Sequence, residues 1–83
     1  MDNMARLNIT YAGSNGDNPD MVLYDLPDDD IKRIATEAVR SGYVPGIQAD
    51  ETADFTDFVV DRFVATGDLP SRLMIRPKTP FGN

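Results

Sequence analysis

One stretch constrains this chain more than any other: residues 28–42, DDDIKRIATEAVRSG, where the start, period and stop of a helix all agree. Ile31, Ile34, Ala35, Ala38 and Val39 recur at helical spacing and make one apolar stripe, leaving Lys32, Arg33, Thr36, Glu37 and Arg40 to face water. Pro27 fixes the turn before it. The aspartates that follow predict an Asp cap and place negative charge where the helix dipole is positive. Arg40 in the last turn and Gly42 just beyond it form the matching stop. A helix with a single apolar stripe must be covered by a second layer, so the remaining chain has to supply a sheet or another helix.

There is little chain left to do so. Eighty-three residues make one small domain, which buries only about 60 to 65% of its unfolded surface and holds a single core. Cysteine and histidine are both missing, which removes disulfides, thiolate chemistry and the usual ligands of zinc, haem and most transition metals. We therefore expect no cofactor and no metal. Ser14, Ser41 and Ser71 have no histidine base, so no catalytic residue is assigned and an enzyme is not expected. The formal charge of -6 disfavours nucleic acid and anionic membrane as partners and points to proteins. Neither a long apolar run nor a leader pattern is present, so the expectation is a cytoplasmic monomer. Acids crowd residues 17–30 and 50–68, while Arg72, Arg76 and Lys78 make the last stretch basic.

In chain order, residues 1–4 are patternless and expected to fray. Residues 5–11 alternate Leu7, Ile9 and Tyr11 with Arg6, Asn8 and Thr10, the pattern of a half-buried strand. GSNGDNPD, residues 13–20, concentrates turn formers, with Asn15-Gly16 as the hairpin signal. Residues 21–26 read as the second strand of that hairpin. Pro45 and Gly46 make the stretch after Gly42 an irregular connector or a very short strand. From 52 to 65, Phe55, Phe58, Val59, Arg62 and Phe63 fall at helical spacing and predict a second helix ending at Gly67. The β-branched and aromatic content keeps a strand over 58–65 as the alternative. Residues 72–76 alternate again as a last strand, and Pro77, Pro80 and Gly82 leave residues 78–83 as a flexible tail.

An order of strand, strand, helix, irregular or helical segment, strand restricts the topology to α+β. If the last strand joins the sheet parallel to the first, the connection is a right-handed crossover. The result is a β-grasp domain over residues 5–77. Hairpin, capped helix, mixed segment and basic final strand together resemble a ubiquitin-like protein over residues 5–39 and from 72 onward. The resemblance implies a protein modifier or carrier acting through a C-terminal glycine, whose carboxylate is activated as an acyl-adenylate and passed to a thiol or amine. The matching residue is Gly82 in RPKTPFGN. Phe81-Gly82 stands where the family has paired glycines, and Asn83 would have to be removed first. The partners implied are an activating or conjugating enzyme and a processing protease, with Arg72, Arg76 and Lys78 orienting the tail. A second departure is the helical pattern between Gly42 and Gly67, where ubiquitin has two short strands and a brief helical turn. The alternative reading is a noncovalent adaptor that docks a partner through a sheet face, an edge strand or its acidic surface.

Other features have plainer explanations. Asp28, Asp29 and Asp30 suit a helix start better than a cation site. Phe55, Phe58 and Phe63 are expected in the core, since so small a domain needs its large apolar residues. Arg62 interrupts their stripe, its stem expected along the core edge and its guanidinium near Asp61, Asp57 or a partner. Phe81 either docks into a partner or folds back on the core.

Overall fold

Strict alternation builds the first strand, because Ala5, Leu7 and Ile9 are fully buried while Arg6 points away from them. The structure, a computed structural model, describes residues 3–78. Its elements are β1 (Met4–Tyr11), β2 (Ser14–Asp17), β3 (Val22–Leu23), α1 (Asp28–Arg40), β4 (Val59–Phe63) and β5 (Arg72–Arg76). They form an α+β domain with a mixed five-stranded sheet of order β2-β1-β5-β4, in which β3 also pairs with β1. β1 and β5 are parallel neighbours, and the other pairs are antiparallel.

The hairpin turns earlier than expected. Ala12 and Gly13 both have positive φ, 52° and 80°, the two-residue turn whose twist matches its flanking strands. Asn15 and Gly16 consequently lie within β2, opposite Thr10 and Ile9, and of residues 21–26 only Val22 and Leu23 are strand. Side chains hold this polar pairing together: Asn8 and Asn15 exchange amide bonds of 3.0 and 2.9 Å, Asn15 also donates to Thr10, and Asn8 to Asp17.

The main helix runs as its pattern requires, with Ile31, Ala35, Ala38 and Val39 buried. Its N-cap is Pro27, without a side-chain cap bond. The expected Asp cap is therefore corrected: Asp28 is held by Arg62 and Asp30 by Arg33. At the other end, the Gly42 and Tyr43 N–H groups donate to the Val39 and Ala38 carbonyls at 3.1 and 2.9 Å, closing the last turn as a Schellman motif.

The second helix does not form. Asp50 accepts bonds from the backbone and hydroxyl of Thr52, and Asp54 repeats this with Thr56. Such side-chain bonds compete with helical ones and hold the backbone in turns. Beyond them β4 pairs in register with β5, Val60 opposite Ile75 and Arg62 opposite Leu73, so the pairing edge of β5 overrides the helical spacing. Element order is thus ββ(β)αββ.

The core joins α1, the inner sheet face, Val44, Ile47, Ala53 and Phe55. Tyr11 and Phe58 pack on Phe55 with ring centroids 5.3 and 4.5 Å away. Phe63 departs from expectation: it lies on the opposite sheet face, 39% exposed. Arg62 also differs, donating to the Tyr24 and Leu26 carbonyls at 2.6 and 2.7 Å and to Asp28 at 2.6 Å. It ties the strand-to-helix connection to β4. No helix among the described residues is long and apolar enough to cross a membrane.

Candidate functional site: the outer face of the sheet

Burial fixes which way each strand faces. Leu7, Ile9, Leu73 and Ile75 have no exposed surface and point toward α1, so their neighbours Arg6, Asn8, Arg72, Met74 and Arg76 stand on the other side. Register then assembles rows across strands. Arg6 lies opposite Arg72 and Arg72 opposite Phe63, making one row over β1, β5 and β4. The next row runs Asp17, Asn8, Met74, Asp61. Among the described residues no element covers this face.

Its two flanks are internally satisfied. Asn8, Asn15, Asp17 and Thr10 bond one another on the β2 side. On the β4 side Arg76 Nε donates to Asp61 at 2.7 Å. The middle is different. The Arg72 guanidinium lies over the Phe63 ring at 4.9 Å from its centroid, a cation–π contact, yet its Nε is buried without an acceptor. Arg6 makes no ion pair among the described residues. A shallow depression of about 370 Å³ lies here, lined by Arg6, Asn8, Asn15, Asp17, Arg72 and Met74.

The residues singled out from sequence fall in three places. Arg72 and Arg76 share this face, and Lys78 is exposed just past β5. Phe81, Gly82 and Asn83 lie outside the described residues. The serines serve the fold: Ser41 Oγ donates to the Ala38 carbonyl and Ser71 Oγ accepts from the Ala65 N–H, while Ser14 opens β2 opposite Tyr11. No group of residues suited to a metal occurs among those described. Sequence reasoning missed Arg6, Met74 and Phe63 as a set. Alternation in residues 5–11 marked Arg6 as outward, but nothing local paired it with Arg72.

A second concavity, about 300 Å³, lies at the far end of β1 beside Tyr11, Ile47 and Asp50. Here the Tyr11 hydroxyl donates to Asp50 at 2.7 Å. Hydrogen bonds from the Thr52 side chain, Tyr11 and the Thr52 backbone hold the Asp50 carboxyl at about 2, and the same bond raises the Tyr11 hydroxyl. The Thr56 side chain and backbone lower Asp54 in the same way. These groups bond within the fold and fasten β1 to the 50–56 turns.

Comparison of the chain with protein-family profiles, curated proteins and solved structures returns no match. Among the described residues the outer face offers two guanidiniums without an ion pair, a thioether and an exposed ring around a depression.

Proposed function

We propose that this chain is a β-grasp, ubiquitin-like domain that works as a noncovalent docking module for a protein partner. The parallel β1 and β5 pair, the order β2-β1-β5-β4 and the helix against one sheet face support the architecture. β4 supports it too, since a strand stands where the sequence suggested a helix foreign to the family. The observation that carries the function is the outer face, where Phe63 is exposed beside Arg72, Arg6 continues the same row, and neither arginine has an acidic partner among the described residues. Exposed aromatic and Arg side chains around an apolar centre are what a protein interface uses for anchoring. Cytoplasmic residence and a monomeric state belong to the same proposal.

The test compares complexes isolated from the source cells with the unchanged chain, with Met74→Asp, and with a chain ending at Lys78. A partner lost with Met74→Asp and kept on tail removal, with an unchanged circular dichroism spectrum, is the expected result. A partner indifferent to Met74→Asp overturns the reading.

The expected modifier or carrier role stands second, and it draws on the exposure of Pro77 and Lys78 where the chain leaves β5. In it, a protease hydrolyses the Gly82–Asn83 bond, the Gly82 carboxylate takes an adenylyl group from ATP with loss of pyrophosphate, and the acyl group passes to a thiol or amine with release of AMP, with Arg72, Arg76 and Lys78 orienting the tail. Gly82→Trp should abolish larger covalent species without altering the fold. Conjugates that persist in that variant discard this role.

A further inference from the structure

Arg6 and Arg72 are cross-strand neighbours on the outer face of a parallel pair, and two like charges held side by side repel. The chain carries 14 acidic residues, yet those beside the pair are engaged elsewhere. Asp61 accepts from Arg76 at 2.7 Å and Asp17 from Asn8 at 2.9 Å. Neither arginine has an ion pair among the described residues, and the buried Nε of Arg72 has no acceptor. A buried N–H without an acceptor on a guanidinium beside a second cation costs stability, and an arriving anion that accepts from it would remove that cost. The cation–π contact with Phe63 restrains the Arg72 guanidinium, so less freedom is lost on binding.

Building on the docking reading, we infer that this pair is the seat for a carboxylate on an acidic segment of the protein partner. An apolar side chain next to that carboxylate rests on Met74 and Phe63. The surroundings select a single carboxylate over a polyanion. Asp17 and Asp61 stand at the two ends of the adjacent row, and the whole chain is negative, so successive phosphates of a nucleic acid would meet repulsion on both sides of the seat. A segment alternating acidic and apolar residues meets the arginines and the apolar surface together.

The experiment is a titration of the full ¹⁵N-labelled chain with a blocked hexapeptide carrying two glutamates around a leucine, and with its glutamine twin. Expected are saturable amide shifts at residues 6, 63, 72 and 74, and at least about tenfold weaker binding of the twin. Inorganic phosphate and oligothymidylate at equal ionic strength give no saturable shift at these residues.

Arg6→Glu separates a binding role from a structural one. It places an acid opposite Arg72, so the melting temperature should rise by a few degrees while peptide affinity falls at least about tenfold. Arg6→Gln, at an exposed position, should lower affinity without lowering stability. The seat is overturned by equal affinity for the glutamine twin, by no saturable shift, by a stronger response to phosphate or oligothymidylate, by a less stable Arg6→Glu, or by self-association through this face. If Arg6→Glu keeps the cellular partner that Met74→Asp loses, the docking module stands and the carboxylate seat falls.

Discussion

At the scale of single residues, identical side chains do opposite things according to what surrounds them. Arg62 spends its guanidinium on two carbonyls and Asp28, while Arg6 and Arg72 stand opposite each other on neighbouring strands without an acidic partner among the described residues. Among the acids, Asp50 is the most perturbed, its carboxyl lowered from 3.8 to about 2 by the Thr52 side chain, Tyr11 and the Thr52 backbone. A carboxylate whose pKa is depressed by folding adds stability above its unfolded value and loses it as pH falls through the folded one. The contribution should therefore disappear between about pH 4 and pH 2. Asp50→Asn should lower the melting temperature at pH 7 and partly flatten its fall across that window, with Asp54 supplying the remainder. A melting series from pH 2 to pH 7 checks this, and an unchanged acid limb would assign the loss to another carboxylate. Tyr11 works in the opposite sense: its raised hydroxyl favours the folded state below its ordinary pKa of 10.0, and that stability is lost as pH rises through the raised value.

At the scale of elements, β2 shows how little local preference a strand needs when its turn and neighbours are supplied. Gly16 is central to it, because a Cβ there would overlap the Pro45 carbonyl oxygen and press on Val44. The close approach lets residues 43–47 cross β2 and deliver Val44 and Ile47 to the core. Gly16→Ala should cost about 1–3 kcal/mol, toward the upper end because the obstacle is backbone. A fall in the urea midpoint with amide shifts concentrated at 43–47 is the expected outcome, and a neutral substitution would mean the loop moves freely. The helix was legible in residues 27–42 because period, dipole charges and stop all act within a few residues. β2 was not, since Asn15-Gly16 carries the composition of a turn while the actual turn falls on Ala12-Gly13. The apparent helix at 52–65 failed for a related reason. Local bonds from Asp50 and Asp54 take its first half, and a distant edge on β5 takes the second.

At the scale of the whole molecule, one core serves everything, and Phe55 is the largest side chain fully inside it. A domain of 83 residues has a total stability on the order of 4–12 kcal/mol, whereas Phe-to-Ala in a core costs about 3–5 kcal/mol. Phe55→Ala should therefore lower the melting temperature by at least about 12 °C, with loss of the near-ultraviolet aromatic signal. A small shift in calorimetry would show that Tyr11 and Phe58 refill the space. The outer face tolerates more, because its side chains border solvent. By itself the sequence determined the helix and its stop, the alternating faces of β1 and β5, and a composition without thiol or imidazole. These depend on spacing within one segment. Only the tertiary structure decided that residues 59–63 extend along β5, that Arg62 clasps the start of α1, and that Arg6 stands opposite Arg72. The physical reason is that register between distant strands is set by the shared core and the pairing of backbone groups, and an outward residue's neighbours are decided only when that register closes.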